Sequence, residues 1–480
     1  MFQGKTGCHR RVSGIWSEIM ETDPPEPSTG AEHADEVTAL AVRYGRIPAS
    51  ERVRLAKSTS NLFRFRSPVS GSGLEVTGLD RVLSVDPETM TADVQGMTTY
   101  EDLVAETLRH GLMPLVVPQL RTITIGGAVA GLGIEASSFR NGLPHESVRE
   151  MEILTGDGQV VPARPDNEHA ELFRGFPNSY GSLGYALRLV IDLEPVRDHV
   201  RLRHVRFTSA AECAAAIEEI HGSGTWRGTR VDFVDGTVFD RSELYLTLGT
   251  FEDEAPYTSD YGGRRIYYRS VREREVDHLR VGDYLWRWDT DWFWCSRALG
   301  AQHPLLRSIW PRRFLRSDFY RRVVALDQRF GLSDRFNRLR GHPRREQVFQ
   351  DVEIPVDRLA EFLDFFHDEI GISPVWLCPV RLRDATGWPL YPMDPATLYV
   401  NVGFWATVPL RADQELGAHN RLIEEKVSEL DGHKSLYSSA YYEREEFWKH
   451  YDGETYRRLK DRYDQAGKLP GLYEKCVLGS

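Results

Sequence analysis

Short runs in which apolar and polar residues alternate dominate the first part of the chain. From Leu187 to Leu193 every second residue is leucine or isoleucine, with the charged Arg188 and Asp192 between them. This period of two predicts a β-strand with one buried face over residues 185–193. The same reasoning predicts strands at 74–77, 81–85 and 91–95, and a hairpin over 151–161 that turns at Asp157-Gly158.

One helix interrupts these strands. Thr98 or Thr99 can cap its start, acidic residues occupy its first turn, and Gly111 ends it. Because the strands do not alternate with helices of regular length, residues 36–200 predict an α+β domain rather than a series of βαβ units.

Residues 201–425 predict a second α+β domain, in which an antiparallel sheet is backed by helices. Helices are predicted at 210–220 and 357–370, and strands at 230–234, 244–249, 347–354 and 397–404. Residues 426–480 predict a polar, helical C-terminal segment, and residues 1–35 predict an irregular leader.

Composition excludes several classes of protein. Of the 480 residues, 41% are hydrophobic and 27% are charged, which is the balance of a globular chain rather than a disordered one. The net charge of -11 argues against a nucleic-acid partner. No apolar run is long enough to predict a transmembrane helix, and the first 35 residues lack the apolar region of a signal peptide. Five scattered cysteines without a CxxC pair predict no metal site and a reducing, cytoplasmic location.

The strongest local signal is the glycine-rich segment 122–135. Its glycines, Gly126, Gly127, Gly131 and Gly133, let backbone amides approach a flat or phosphorylated ligand closely. The spacing differs from the GxGxxG fingerprint, and a P-loop is absent. A glycine-rich turn in a packed sheet is the alternative interpretation of this segment.

Two further segments of the same domain fit a phosphorylated ligand. A basic, polar loop follows a short strand and is suited to holding a pyrophosphate. Its residues are Lys57, Ser58, Thr59, Ser60, Asn61 and Leu62. A second glycine turn, with Gly181 and Gly184, leads into the strand at 185–193.

A polar loop, a GG segment and a late glycine turn, in this order, resemble the FAD domain of the vanillyl-alcohol-oxidase-like flavoproteins. Residues 118–127, 131–138, 374–379 and 437–453 further resemble the Δ24-sterol reductase branch. The resemblance implies a PCMH-type FAD-binding domain over 36–200, a substrate or cap domain over 201–425, and a C-terminal segment, 426–480, that closes on the flavin.

The resemblance also implies FAD as cofactor and NADPH as a transient reductant. The 57–62 loop contains no histidine, so we expect the FAD to be non-covalent. Besides the loop and the glycines 126, 127, 131, 133, 181 and 184, the implied cofactor-binding residues are Gln119, Thr122, Thr124, Ser137 and Ser138.

The implied reaction is the reduction of an isolated carbon–carbon double bond in a lipid. Of the 60 basic residues only eight are lysine, a bias that indicates a GC-rich bacterial gene. Most such bacteria make no sterols, so we expect the substrate to be a methylene-branched fatty acyl chain of phospholipid. The expected place is the inner face of the cell membrane, without an anchoring helix, and a lipid methyltransferase is the expected functional partner.

Three alternatives stay open. Reduction of a sterol side chain uses the same chemistry. A flavin oxidase of a polyol or sugar alcohol has the same fold but a polar pocket. A flavin-free lipid-binding protein or scaffold needs no redox cofactor at all. Residues 260–340 diverge from the sterol reductases, and substrate choice is expected to lie there.

An isolated double bond has no carbonyl to accept electron density, so the enzyme must supply a proton as well as a hydride. The C-terminal block combines phenols and carboxylates near a cation and is expected to return to the flavin. Its candidates are Tyr437, Tyr441, Arg444 and Glu445, with Lys434 as a contact of the flavin or the reductant. The alternative is a solvated helix start in which Arg444 pairs with a carboxylate.

Two more features have a structural and a functional interpretation. His145 is expected either beside the flavin or as a structural histidine. The aromatic segment 284–294 is expected either in the core of the second domain or at a lipid-facing entrance, where tryptophan is favoured.

Overall fold

The computed structural model describes residues 30–57, 63–64, 73–76, 78–330 and 343–479. The first domain is built on a sheet of six antiparallel strands. Their order is Val82–Asp86, Thr91–Gln95, Tyr185–Pro195, Val148–Leu154 and Val160–Ala163, and Leu112–Pro114 pairs with the end of Tyr185–Pro195. The predicted alternation is confirmed, because Leu187, Leu189 and Ile191 are buried and Arg188 binds Asp93 at the sheet surface.

Five α-helices and one 3-10 helix belong to this domain: Gly30–Gly45, Tyr100–Arg109, Ile125–Ala130, Ser138–Asn141, Pro144–Ser147 and Ala170–Gly175. Thr99 caps the predicted helix, since its side chain accepts a hydrogen bond from the amide of Asp102. The short strands Arg54–Ala56 and Gly73–Glu75 form a separate parallel pair.

The predicted leader extends too far. Helix Gly30–Gly45 begins before residue 36, because Leu40 and Tyr44 are buried one turn apart and anchor it to the domain. The hydroxyl of Tyr44 also donates to the carbonyl of Gly156 at 2.6 Å. Residues 1–29 lie outside the described residues.

The second domain is built on a sheet of eight antiparallel strands, as predicted. Their order is Val276–Arg280, His199–Phe207, Glu243–Glu252, Phe233–Asp240, Val375–Val380, Tyr399–Pro409, Arg345–Pro355 and His433–Lys434. Helices Ala210–Ser223, Leu359–Glu369 and Ala418–Glu429 contribute apolar residues to the core on one face of this sheet. A small hairpin, Thr225–Trp226 with Thr229–Arg230, extends the first of them.

The remaining helices lie outside these two groups. They are Tyr267–Glu273, Val281–Leu285, Asp289–Asp291, Cys295–Leu299, Pro304–Ile309, Arg312–Phe314, Ser317–Phe330 and Val356–Arg358, followed near the C-terminus by Arg444–His450, Gly453–Tyr463 and Leu472–Cys476. One hydrophobic cluster joins the first domain, the other face of the second sheet and the C-terminal helices. Within the described ranges, no helix is both long and apolar enough to cross a bilayer.

Candidate active site

A cavity of about 350 Å³ lies where the two domains meet. Ten of the residues predicted to bind a cofactor line it: Lys57, Gln119, Thr122, Thr124, Gly126, Gly127, Gly131, Gly133, Gly181 and Gly184. Ser58, Thr59, Ser60, Asn61 and Leu62 lie outside the described residues. The glycine-rich segments and the strand that follows the second glycine turn therefore come together at one site.

The glycine-rich segment forms one wall because it starts a short helix against the first sheet. The side chain of Thr124 caps this helix by accepting from the amide of Gly127 at 3.2 Å. A Cβ at Gly126 would lie 2.6 Å from the carbonyl oxygen of Gly96, so glycine is required there for packing. Gly127 is exposed to the cavity, and a side chain at this position would occupy it.

The second glycine turn requires backbone angles that favour glycine. Gly181 has φ of 73° and Gly184 has φ of 147°. A Cβ at Gly184 would also lie 2.6 Å from the side chain of Ile153. The turn thus brings the chain close to the cavity just before strand Tyr185–Pro195 begins.

Four cationic side chains, Arg54, Lys57, Arg64 and Lys475, contribute to the lining of this cavity. Arg64 lies over the ring of Tyr180, 4.4 Å from its centroid, and donates to the sulfur of Cys476. Its Nε and Nη2 are buried and find no partner in the described part of the chain. Buried donors without a partner are costly, so this group of cations fits an anionic ligand such as a pyrophosphate.

Lys475 reaches the cavity from the C-terminal helix Leu472–Cys476. Its Nζ donates to the carbonyl of Tyr180 at 2.8 Å. Burial, followed by the charge of Arg64, lowers the pKa of Lys475 to about 7. An anion in the cavity would favour the charged ammonium.

Aromatic rings form another part of the lining. Phe293 lies against Trp405, with ring centroids 4.4 Å apart, and Phe63 stacks on Trp292 at 5.7 Å. Trp376 completes this aromatic end. We use this term for Phe63, Trp292, Phe293, Trp376 and Trp405 together.

Two members of the aromatic end, Trp292 and Phe293, belong to the aromatic segment 284–294. Trp286, Trp288, Trp292, Phe293 and Trp294 are all buried, so the core interpretation is correct and an outward, lipid-facing entrance at this segment is wrong. The segment is not one helix, because Trp292 and Phe293 both have positive φ. That bend directs two of its rings into the cavity.

A buried acid lies beside the aromatic end. Asp351, on strand Arg345–Pro355, lines the cavity, and burial raises its pKa to about 6. The amide of Asn401 donates to it at 3.1 Å, and the hydroxyl of Tyr437 also interacts with it. Tyr437 lines the cavity too, and the indole Nε1 of Trp405 donates to its hydroxyl at 2.7 Å. Burial raises the pKa of Tyr437 well above its ordinary value.

Sequence reasoning placed Tyr437 among the candidates but missed Asp351, Arg64 and Lys475. A signal for Asp351 exists in its strand. Val348, Val352 and Ile354 face the core of the second domain, which leaves Asp351 on the opposite face. An acid at the centre of a sheet strand, on the face opposite the buried core, indicates a functional or paired carboxylate.

The other C-terminal candidates do not reach the cavity. Lys434 is buried and pairs with Glu424, which also accepts from the backbone amide of Tyr441. Arg444 is exposed and pairs with Glu474 at 3.1 Å, and Glu445 is exposed in the next position. The chain turns outward here to start helix Arg444–His450, whose anchor is the buried Phe447. The positions of Arg444 and Glu445 thus match the alternative of a solvated helix start in which Arg444 pairs with a carboxylate.

Three more predicted residues take structural positions. Ser137 donates to the carbonyl of Leu115 at 2.7 Å, and Ser138 accepts from the amide of Glu135 at 3.0 Å; both serines are buried away from the cavity. His145 is buried against Trp388, and burial lowers its pKa to about 3, so it is a neutral structural histidine.

Fold and cavity together define a PCMH-type FAD-binding domain joined to an α+β cap. Residues 33–164 match the FAD binding domain family. The protein is an FAD-dependent oxidoreductase, and the glycine wall, the Nε and Nη2 donors of Arg64 that have no partner among the described residues, and the neighbouring cations fit the cofactor.

The chain is similar to sterol reductases over most of its length and to a cytokinin dehydrogenase over a shorter part. The chain is 26% identical over 413 residues to the Delta(24)-sterol reductase of Homo sapiens, covering 82% of this chain and 75% of that protein. It is 24% identical over 429 residues to the Delta(24)-sterol reductase of Arabidopsis thaliana, covering 83% and 75%. Cytokinin dehydrogenase 5 of Arabidopsis thaliana is 31% identical over 166 residues, covering 34% of this chain and 29% of that protein.

Proposed function

We propose that the protein uses FAD to reduce an isolated carbon–carbon double bond in a lipid, as the name of the sterol reductases describes for them. The observation that carries the proposal is the buried pair Asp351 and Tyr437 beside the aromatic end of the cavity. Similarity to sterol reductases across both domains supports it.

The cofactor would be held without a covalent bond. The glycine wall around Gly127 leaves room for a flat ring system, and the cations Arg64 and Lys475 would bind its pyrophosphate. Reduced FAD, with NADPH as the proposed electron source, supplies the hydride that an isolated alkene needs.

Asp351 and Tyr437 would supply the proton. A carboxyl with a pKa of about 6 keeps a useful fraction of its proton near neutral pH, which suits a general acid. Tyr437 remains protonated and would pass the proton between Asp351 and the alkene carbon. The aromatic faces of Phe293 and Trp405 would stabilise positive charge at the branch carbon, by roughly 0.5–2 kcal/mol each.

The cavity argues against the oxidase alternative. A polyol leaves several hydroxyls to be hydrogen-bonded, and each one buried without a partner is costly. The aromatic end offers indole and phenyl faces instead of a set of polar groups. It therefore suits a hydrocarbon chain or ring better than a sugar alcohol.

Two lipid substrates fit the same chemistry. A sterol side chain with a trisubstituted double bond is the first candidate, since sterol reductases are similar to more than four fifths of this chain. A methylene-branched fatty acyl chain of phospholipid is the second, and the arginine-rich composition favours it. Protonation of either gives a tertiary carbocation. With the second substrate, a lipid methyltransferase would act before this enzyme, at the inner face of the membrane.

An anaerobic experiment tests the proposal. The purified flavoprotein is reduced with NADPH or with NADH and then mixed with a Δ24-sterol, a methylene-branched phospholipid or an alditol. We expect one of the lipids, and not the alditol, to reoxidise the flavin and to yield the saturated product. With deuterated water, the label should appear on the carbon that receives the proton.

Three outcomes would contradict the proposal. The purified protein could be colourless, which would favour a scaffold. The oxidised flavin could be reduced by the alditol, which would favour an oxidase. Solvent label at the branch carbon, with none on the carbon that should receive the proton, would reverse the proposed polarity of addition.

A further inference from the structure

The most exposed large apolar side chains of the described residues lie together in the divergent part of the cap. Leu305 and Ile309 are 73% and 77% exposed, and Leu306, Val323 and Leu326 are exposed nearby in the sequence. Single exposed apolar residues are ordinary on protein surfaces, but a concentration of them marks an interaction site.

The helix Pro304–Ile309 presents these residues outward on a fixed base. Leu305 and Ile309 are four residues apart and therefore lie on one face. Arg307, on the same short helix, is buried and binds Asp291 through both Nη atoms, at 2.6 and 3.0 Å. Its Nε donates to the carbonyl of Gly263 at 2.7 Å. The buried ion pair between Arg307 and Asp291 fixes the position of the helix. The apolar side chains of the same helix, Leu305, Leu306 and Ile309, face the solvent.

The same part of the chain has an unusual charge. Residues 295–330 contain eight arginines and two aspartates, a net charge of +6, whereas the whole chain has a net charge of -11. Arg312 and Arg313 follow the apolar helix directly and are exposed, and Arg322 is exposed beside Val323. Arg312 pairs with Asp260, and Arg322 pairs with Asp318 at 3.2 Å. Both arginine side chains are largely exposed, so water and salt weaken these pairs.

This surface is connected to the aromatic end of the cavity through a buried cluster. Ala301, Leu315 and Tyr320 form a small cluster beneath it. They pack against Trp292 and against Phe63, two members of the aromatic end. The segments that carry the exposed residues are therefore linked by packing to the aromatic end.

We propose that the docking surface, defined as the exposed side chains among residues 304–313 together with Arg322, Val323 and Leu326, binds an anionic phospholipid bilayer. Leucine and isoleucine side chains would enter the region between headgroups and acyl chains, and the arginines would contact the anionic headgroups. The proposal rests on the proposed function in one respect: an enzyme that acts on a lipid has to bind the bilayer that contains it.

Charge complementarity distinguishes a bilayer from a second copy of the chain. A symmetric dimer through this surface would place the arginines of one copy against those of the other. Like charges in contact oppose association, whereas an anionic bilayer attracts them.

Vesicle binding tests the proposal without any turnover. The full-length holoenzyme is sedimented with vesicles of phosphatidylcholine alone, or of phosphatidylcholine mixed with phosphatidylglycerol, at low and high salt. We expect binding to the mixed vesicles, and we expect it to fall as salt rises. A variant with Leu305→Ser and Ile309→Ser should bind roughly tenfold or more weakly, because it loses the inserted apolar area.

A second variant tests the charges, and a third serves as a control. Arg313→Gln with Arg322→Gln should weaken binding by roughly fivefold per arginine. Val42→Ser with Leu416→Ser replaces two similarly exposed apolar residues elsewhere and should bind like the unaltered protein. All variants should keep their FAD content and melting temperature, since every changed side chain is exposed.

Vesicle binding tests the docking surface, and lipid turnover tests the proposed function, so the two can fail independently. The proposed docking surface would be overturned if the protein did not bind the mixed vesicles. It would also be overturned if the leucine variant, Leu305→Ser with Ile309→Ser, bound as well as the control variant, Val42→Ser with Leu416→Ser. A dimer in solution that the leucine variant dissociates would overturn it in favour of contact between copies. Turnover of a detergent-dispersed lipid tests the proposed function separately, and the leucine variant should retain it.

Discussion

The indole Nε1 of Trp405 donates a hydrogen bond of 2.7 Å to the hydroxyl of Tyr437. Trp405 lies on strand Tyr399–Pro409, and Tyr437 lies in the segment after strand His433–Lys434. The indole fixes the phenol in the cavity and occupies one of its acceptor positions. The hydroxyl proton is then left for Asp351 or for a molecule in the cavity.

The first prediction separates this pair from the exposed C-terminal candidates. Tyr437→Phe and Asp351→Asn should each reduce alkene turnover by about 10²–10⁴-fold, the usual contribution of a proton donor. Tyr441→Phe and Glu445→Gln should change it less than about twofold, since neither side chain reaches the cavity. Reduction of the flavin by NADPH, measured separately by stopped flow, should stay fast in all four variants. A large loss in Tyr441→Phe with none in Tyr437→Phe would reverse the assignment.

The second prediction concerns pH. Burial raises the pKa of Asp351 to about 6, so its carboxyl is protonated below that pH and loses its proton above it. The rate at which an alkene substrate reoxidises reduced flavin should therefore be level at low pH and fall above about pH 6, approaching tenfold per unit. Asp351→Asn should remove this inflection. An inflection that persists in Asp351→Asn near pH 7 would point instead to Glu135, whose pKa burial raises to about 7.

The third prediction tests the glycine wall. Gly127→Val should fold but fail to retain FAD, because the new side chain faces the cavity and its Cβ meets only the hydroxyl of Thr124. Gly126→Val is the matched change next to it. Its Cβ would collide with the backbone of Gly96, so it should lower the melting temperature as well. Flavin absorbance and thermal unfolding of both variants provide the measurement, and full flavin content in Gly127→Val would contradict the assignment of this wall.

The fourth prediction concerns protons taken up with the cofactor. With a pKa of about 7, Lys475 is mostly neutral at pH 8 when no anion is near. A bound pyrophosphate should raise that pKa, so FAD binding at pH 8 should take up close to one proton. Titration calorimetry of the apoprotein in buffers of different ionisation enthalpy measures this uptake.

Lys475→Met should abolish that uptake and weaken FAD binding by roughly tenfold or more, the value of a hydrogen bond to a charged group. Lys449→Met changes an exposed lysine elsewhere in the C-terminal segment and should leave the uptake unaltered. Uptake that is the same in Lys475→Met as in the unaltered protein would exclude this role.

Local signals in the sequence predicted the part of the site that depends on local geometry. Gly126 and Gly127 were found because close backbone approach requires glycine wherever the rest of the chain lies. Asp351 was not found, because its position depends on pairing across the second sheet. It lies opposite Gly403, whose missing side chain leaves room for the carboxylate. The alternation around Asp351 indicates only that it lies opposite the core. The pairing between distant strands that brings it to the cavity leaves no mark on the local sequence.

In the C-terminal block, the sequence predicted site residues that do not reach the cavity. A high density of phenols and carboxylates drew attention to Tyr441 and Glu445, although such density is equally typical of a solvated helix start. Only Tyr437, which precedes the outward turn, reaches the cavity. The bend at Trp292 and Phe293 was likewise unpredictable, since positive φ at aromatic residues is rare and is imposed by tertiary packing.

The contact between Arg64 and Cys476 has a consequence for the order of biosynthesis. The two residues are 412 positions apart, yet the guanidinium and the sulfur lie 2.9 Å from each other at the cavity. A chain made from its N-terminus onward produces the glycine wall early and Lys475 last. Cofactor capture should therefore be a late, post-synthetic event, and flavin depletion in the cell should leave a nearly finished protein whose two distant segments are not yet joined.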